Sequence, residues 1–295
     1  GSDLSRINRD AAKMLIAKIA MMQNDWTTAK QYVDEIISSD EFELEEDITK
    51  NWDLATEFGK ESIYEISFAE DMTPSLGNVF HNHTAPPTAR NPLTGKSIGG
   101  GKWGGAIYNE FFYNSFPEND DRKLKLMWDT AYYEEDNDGR YYTSKYWDFA
   151  TMDRARAGHG PVNLVYFRYS GLLLMKAEIE NEINGGPNDA AYSAINQVRN
   201  RSNVADLESA LTYEEFLHRV FDERDWELFY EGHHWLELRR RDFAFVESRV
   251  ETKRQNLFDH IGFEGNFDLQ EYHMVFPIPQ SERDANPNLV QNEGY

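Results

Sequence analysis

Phe167-Arg168-Tyr169-Ser170-Gly171-Leu172-Leu173-Leu174-Met175-Lys176-Ala177-Glu178-Ile179-Glu180-Asn181 is the stretch on which the fold turns. Leu172, Met175, Ile179 and, just beyond, Ile183 recur at steps of three and four, so they share one face of a helix predicted over 164–183. Gly185-Gly186-Pro187-Asn188-Asp189 stops that helix, because glycine accepts the left-handed conformation of a helix end and proline cannot continue the ladder. A second stripe, Ala191, Ala194, Ile195 and Val198, predicts a helix over 187–201. Two helices joined by so short a turn pack antiparallel.

The same plan recurs on either side. In residues 8–22, Ala11, Met14, Leu15, Lys18, Ile19 and Met22 fall at helical spacing; Asn24-Asp25 breaks the helix, and Asp25 is placed to cap a second one carrying Ala29, Val33, Ile36 and Ile37. With Ala17, Ala20 and Ala29 near the crossing, this pair resembles a tetratricopeptide unit. Downstream, Thr212 caps a helix through Phe216, Val220, Trp226 and Phe229, and Gly232 ends it before another from His234 to Phe245. Repeated hairpins predict a mostly α protein with a solenoid-like scaffold, since single repeats cannot bury their faces alone.

Between the first two hairpins the composition changes. Ser62-Ile63-Tyr64-Glu65-Ile66-Ser67-Phe68 alternates apolar and polar residues and predicts a strand. Asp71 to Gly105 is loop-like, with Pro74, Pro86, Pro87 and Pro92 and a run of glycines. Residues 101–150 hold 14 aromatics, twice the density of the 14% found in the whole chain. Trp103, Tyr108, Phe111, Phe112, Tyr113, Trp128, Tyr132, Tyr133, Tyr141, Tyr142, Tyr146 and Trp147 stand beside Asn109, Asn114, Asp129, Asp138 and Arg140. Aromatic faces stack on the C–H faces of sugars while amides, carboxylates and guanidinium groups bond the hydroxyls, so this loop-rich insert is the candidate ligand region. Trp103, Trp128, Tyr132, Tyr133 and Trp147 are the candidate ligand-binding residues.

The net charge of −22 disfavours nucleic acid and anionic membrane surfaces as direct partners and leaves a neutral ligand easier to accept. Zero cysteines excludes disulfides and thiolate metal sites. No apolar run approaches the roughly 20 residues that span a bilayer.

Other motifs carry less. Glu134, Asp136, Asp138 and Gly139 open like a calcium loop, but Lys145 stands where that loop needs its bidentate glutamate, which favours a solvated acidic turn. Gly95-Lys96-Ser97 imitates the end of a phosphate loop, yet Arg90 occupies the position of the required glycine. His233-His234 point to different helix faces and read as a junction packed on Trp235, not a shared metal site. Glu223, Arg224, Glu227, Glu231, Glu237, Arg239, Arg240 and Arg241 read as local i, i+3 and i, i+4 ion pairs. No GxSxG elbow, HExxH helix or recognisable hydrolase pair of carboxylates is present in the sequence.

The last stretch, Phe276-Pro277-Ile278-Pro279-Gln280-Ser281-Glu282-Arg283-Asp284-Ala285-Asn286-Pro287-Asn288-Leu289-Val290-Gln291-Asn292-Glu293-Gly294-Tyr295, is extended by its prolines; Ser281 is placed to cap one short turn, which Asn286-Pro287 ends. This tail, the block Asp222 to Arg240 and the block Phe167 to Asn181 together resemble the SusD/RagB family, the nutrient-binding surface lipoproteins of Bacteroidetes-type bacteria. The resemblance covers mainly 161–295, with a looser match over 8–68. It implies a SusD-like fold with TPR-like hairpins supporting a loop-rich region and a few short strands. It also implies a non-catalytic receptor without cofactor or metal, which captures a glycan or oligosaccharide and passes it to a SusC-like TonB-dependent transporter at the outer membrane. Family members carry a signal, an anchoring cysteine and further helices ahead of the point where this chain begins, so the expectation is a chain lacking its N-terminal part, with Gly1-Ser2 a cloning scar and Tyr295 a natural end.

The expected organisation is a TPR-like hairpin over 1–42, the aromatic insert with its strand over 43–160, and a C-terminal helical region with the tail over 161–295. The rival readings are a glycoside hydrolase, since aromatic subsites and carboxylates serve both, and a peptide-binding helical-repeat adaptor.

Overall fold

The computed structural model describes residues 6–68, 77–80, 84–86, 88–98, 107–108, 110–133, 141–150, 160–251 and 268–295. The chain divides into two units, Gly1–His234 and Trp235–Tyr295.

The first unit is mostly helical. It begins with the hairpin α1 (Arg9–Met22) and α2 (Trp26–Ile37), followed by strand β1 (Ser62–Ile66). The insert contributes β2 (Ile107–Tyr108), α3 (Glu110–Ser115), α4 (Asp121–Leu126) and β3 (Tyr141–Tyr142). Then come β4 (Leu164–Arg168), α5 (Tyr169–Asn184), α6 (Asp189–Arg201) and α7 (Tyr213–Glu227).

The helix ends follow the local chemistry of the sequence. Asp25 accepts the Thr28 N–H, Asn188 accepts the Ala191 N–H, and Thr212 and Glu215 form a reciprocal capping box, so free donors of each first turn are satisfied. Gly185 closes α5 in the left-handed conformation at φ 64°.

Helix α5 is the centre of this unit, packing on α2, α6 and α7. Its expected stripe, Leu172, Met175 and Ile179, is buried against α1 and α2 with Ile63 and Phe167, while Ile183 is exposed. A second stripe one residue on, Leu173, Leu174 and Ala177, is buried with Ala191, Ile195, Val198, Phe216 and Val220 of α6 and α7. A helix covered on two sides needs apolar residues on both, hence the unbroken run Leu172-Leu173-Leu174-Met175.

Three expectations change. The buried face of α1 is Ala11, Met14, Ala17, Ala20 and Met21, whereas Leu15, Ile19 and Met22 are about half exposed. The small alanines let α2 approach closely, and that choice of face turns the larger residues away. Residues 164–168 form a strand, not the first turn of α5, because they pair antiparallel with β1 (Glu65 opposite Val165, Ile66 opposite Leu164). Helix α7 ends at Glu227, before Phe229.

Between the two hairpins lies an ion-pair group on α2 and α5. Lys30 and Lys176 both reach Glu180, the latter at 2.7 Å, and Asp34 pairs with both lysines. Burial opposes ionisation of Glu180, but hydrogen bonds from Lys176, Lys30 and Asn188 outweigh it and lower its pKa to about 2. Against an unfolded value of about 4.3, the stability this group contributes is complete above that pH and is lost as pH falls toward 2. Melting temperatures between pH 5 and pH 2 should therefore fall less steeply for Glu180→Gln than for the parent; parallel curves would rule the linkage out.

The second unit begins within the short helix α8 (His234–Leu238), and a further helix, α9, covers 243–251. The single helix expected from His234 to Phe245 is thus two. Asp242 starts the second by accepting the Phe245 N–H at 2.9 Å. In the tail, α10 (Gln280–Ala285) begins after Pro279, so Ser281 lies inside the first turn and is not the cap, while Asn286, extended before Pro287, ends it as expected. The final residues fold back on 275–278. Gln291 bonds both the N–H and the carbonyl of Ile278, Asn292 donates to Phe276 O, and the Tyr295 hydroxyl donates to Val275 O. Gly294, at φ 95°, lies so close to Tyr272 that an added Cβ would fall 2.3 Å from its ring.

Candidate ligand site

The insert is organised by a small ladder. β2 and β3 pair antiparallel, Ile107 opposite Tyr142 and Tyr108 opposite Tyr141. On the other edge of β3, Met127 bridges Thr143, and the Trp128 N–H donates to Tyr142 O at 2.8 Å. That hydrogen bond joins Trp128 to Tyr142, and the chain then leaves the ladder for the turn over 130–132. Successive residues of a strand alternate, so Tyr142 and Tyr141 point to opposite sides of β3. Trp128 and Tyr142 are buried; Asp129 is exposed and Tyr141 partly so.

The accessible end of the ladder carries an aromatic pair. Tyr141 stacks on Tyr113 of α3 with ring centroids 3.9 Å apart and planes inclined by 10°. The Lys123 ammonium of α4 lies 4.1 Å from the Tyr113 ring centroid. Burial and the charge of Asp129 raise the pKa of the Tyr113 hydroxyl. The rings are therefore held in one orientation, which removes much of the ordering cost a stacking ligand would otherwise meet.

Of the five candidate residues, Trp128, Tyr133 and Trp147 are buried members of the core beneath the insert, with Trp52, Tyr142, Tyr146 and Phe229. Trp128 meets Trp147 edge-on at 5.5 Å and Phe149 edge-on at 5.0 Å, while the Trp147 indole donates to Thr84 Oγ1 at 2.9 Å. Tyr132 is half-buried in the turn that Asp129 starts. Trp103 and the acidic turn from Glu134 to Gly139 lie outside the described residues. The structure thus brings Trp128, Tyr133 and Trp147 together as packing. Among the described residues, a partly exposed stacked pair is Tyr113 and Tyr141, and the signal for it was the strand alternation of Tyr141-Tyr142.

Under this core the insert is pinned by buried charge. Arg168, on β4, donates from Nε and Nη2 to Glu231 at 2.9 Å each, from Nη1 to Glu61 at 2.8 Å and to Glu227, and from Nη2 to the Glu227 carbonyl at 2.6 Å. Arg122 of α4 holds Asp120 with its Nε and Nη2 and reaches Glu223 and Glu227. Arg201 bridges Glu61 and Glu227, and Arg199 pairs with Glu223 at 2.8 Å. Lys145, fully buried in the insert, donates to the carbonyls of Glu227 and Phe229 at 3.0 and 2.9 Å and to Glu231 at 2.7 Å. Arg168 and Lys145 thereby cover the Glu227 carbonyl, left free where α7 ends, at the negative end of the helix dipole.

Electrostatics follow this geometry. Burial pulls Lys145 down to about 8 against the attraction of Glu231. Burial resists ionisation of Glu61, Glu227 and Glu231 too, but the facing arginines prevail and hold all three below the usual carboxylate range. At the centre of the charge set the described pairs are long-range instead of local: Glu223, Glu227 and Glu231 are buried against Arg122 and Arg168, and Arg224 meets Glu178. Only Arg240 with Glu237, 3.0 Å apart, is of the i, i+3 kind among the described pairs of this set. His233 and His234 have separate partners, Tyr166 O at 3.0 Å and Asp225 at 2.6 Å.

Among the described residues, Glu57 and Glu65 are both raised by burial and both bonded to Asn163. Glu65 is buried and also accepts the Phe58 N–H at 3.0 Å, so it anchors a turn. Among the described residues no group of three or more side chains could hold a metal ion, and no helix is long and apolar enough to cross a membrane.

Comparison with known proteins gives a consistent result. A family model described as the SusD family matches residues 126–295. SusD-like protein P25 of Formosa agariphila is 27% identical over 329 residues, an alignment that covers 99% of this chain and 60% of that protein. Surface glycan-binding protein A from Bacteroides uniformis superposes with a TM-score of 0.74 at 26% identity, covering 98% of this chain and 62% of the other. Surface glycan-binding protein A from Bacteroides thetaiotaomicron, solved in complex with laminarihexaose, gives 0.74 at 24% identity, with 99% and 65% covered. The chain spans about 60% of the length of the curated relatives it matches.

Proposed function

Since this chain belongs to the SusD family, we propose that it is a non-catalytic glycan-binding protein of the bacterial outer surface, which captures an oligosaccharide and delivers it to a SusC-like TonB-dependent transporter. The lipid anchor that the family resemblance implies would sit on a cysteine that these residues do not include and would hold the protein at the outer membrane. The observation that carries the reading is the partly exposed stack of Tyr113 and Tyr141. An oriented, partly exposed ring matches the apolar C–H face of a sugar. The laminarihexaose-bound relative and the other surface glycan-binding proteins of the same fold support it. Trp103 remains a further ligand-binding residue of this proposal.

Titration calorimetry against a broad glycan panel tests it. At least one glycan should bind without release of reducing ends, and Tyr141→Ala should weaken it by roughly three- to tenfold, the worth of one aromatic contact. Hydrolysis abolished by replacing a single acidic residue would favour the glycoside hydrolase instead, and silence across the panel would sink the receptor reading.

A further inference from the structure

We propose that Lys145 is a positioning residue of the candidate ligand site: its buried ammonium fastens β3, and with it the Tyr113–Tyr141 stack, to the end of α7. The role rests on the glycan-binding reading above.

Lys145 lies just after β3 and reaches three acceptors, the carbonyls of Glu227 and Phe229 and the Glu231 carboxylate. An ammonium has three N–H donors, so each has its partner. The same ammonium lies 3.8 Å from the Phe229 ring centroid and 4.8 Å from that of Trp52. Two tyrosines in the left-handed conformation bound the contact, Tyr146 at φ 69° and Tyr230 at φ 61°, and their rings meet at 6.1 Å. Bulky residues keep that conformation only where their surroundings enforce it. The anchor is therefore a fixed point of the insert.

From this point hydrogen bonds run toward both halves of the stack. The Lys145 N–H donates to Thr143 Oγ1 at 3.1 Å, and the Thr143 hydroxyl donates at 2.8 Å to the carbonyl of Leu126, the last residue of α4. The Ser144 N–H donates to the same carbonyl, and Met127 bridges Thr143. β3 carries Tyr141, and α4 carries Lys123, whose ammonium lies on the Tyr113 ring, so both halves join at the anchor. Arg122, next to Lys123, ties α4 to the side chains of Glu223 and Glu227. Two buried cations of the insert thus hold the same end of α7, Arg122 through the Glu227 carboxylate and Lys145 through its carbonyl.

Three variants test the role. Lys145→Met keeps an unbranched stem beside Trp52 and Phe229 while Arg168 still meets Glu231. Thr143→Val is milder, breaking the link to α4 while keeping the side chain's shape. Ile179→Ala is the control, destabilising the same unit from a different part of its core. Ring protons of Tyr113 and Tyr141, shifted upfield by stacking at 3.9 Å, are read by NMR of tyrosine-labelled protein, and glycan affinity by calorimetry. Both rings should move toward free-tyrosine shifts in Lys145→Met, partway in Thr143→Val, and stay in place in Ile179→Ala. Glycan affinity should fall roughly tenfold in Lys145→Met, because the ligand must then order two side chains itself, and should stay within about twofold in Ile179→Ala. Ring shifts unchanged in both insert variants, equal movement in Ile179→Ala, or moved rings with unchanged affinity would each overturn the positioning role. Silence of the parent across the glycan panel would overturn the glycan-binding reading alone, because the ring shifts report on the anchor without any ligand.

Discussion

Glu227→Gln is expected to lower the folding stability of the first unit by about 3–5 kcal/mol, the cost of removing one partner from a buried charge group. The Glu227 carboxylate is fully buried and faces three guanidinium groups, those of Arg122, Arg168 and Arg201. Loss of its charge leaves surplus positive charge in the interior, and the new amide N–H groups point at donors. An exposed pair gives the contrast. Glu208 and Arg219, 3.6 Å apart with side chains 66% and 47% exposed, should contribute about 0–1 kcal/mol, so Glu208→Gln is nearly silent. Urea unfolding followed by tryptophan fluorescence reads the first unit directly, because Trp52, Trp128 and Trp147 lie in its core. A loss below about 1 kcal/mol for Glu227→Gln would show that the network contributes little.

The same variant has a signature in acid. The folded pKa of Glu227 lies well below its ordinary value, so its contribution is complete above an unfolded pKa of about 4.3 and is withdrawn as pH falls below that. Glu227→Gln should start from lower stability at pH 7 and lose less on acidification.

Ile179→Ala should cost about 2–5 kcal/mol, while the same substitution at Ile19 should stay within about 0.5 kcal/mol. Both isoleucines sit at helical spacing in apolar stripes, and the sequence alone treats them alike. Ile179 is fully buried between α5 and the first hairpin, so truncation leaves a cavity that close-packed neighbours cannot fill. Ile19 is 47% exposed and faces away from α2. Comparable losses at the two sites, measured by the same unfolding curves, would mean that the buried face of α1 is assigned to the wrong side.

The contrast between these isoleucines marks what was legible. Helix ends were readable, as at Asp25, Thr212 and Gly185, because a cap needs only a residue and a neighbour three positions away. The stripes of α5 and α6 were readable for the same reason, and the tail and the two central blocks announced the family. The strand 164–168 was not readable, since its partner β1 lies about a hundred residues earlier. The charge set was misread because spacing reveals neighbours on one helix and says nothing of Arg168 or Arg122 arriving from elsewhere.

The candidate site divides in the same way. Composition alone located the aromatic insert and named the ring-bearing residues. Which rings are buried was decided by packing around the bridge of Met127 with Thr143, where Trp128 and Tyr142 turn inward and Tyr141 stays partly exposed. The sequence by itself determined the helical hairpins and the caps at Asp25, Thr212 and Gly185, because those depend on periodicity and on contacts within one turn. Only the tertiary structure decided which aromatics are core and which carboxylates are buried, because the first depends on a bridge that spacing does not reveal and the second on arginines 59 and 101 residues away in the chain.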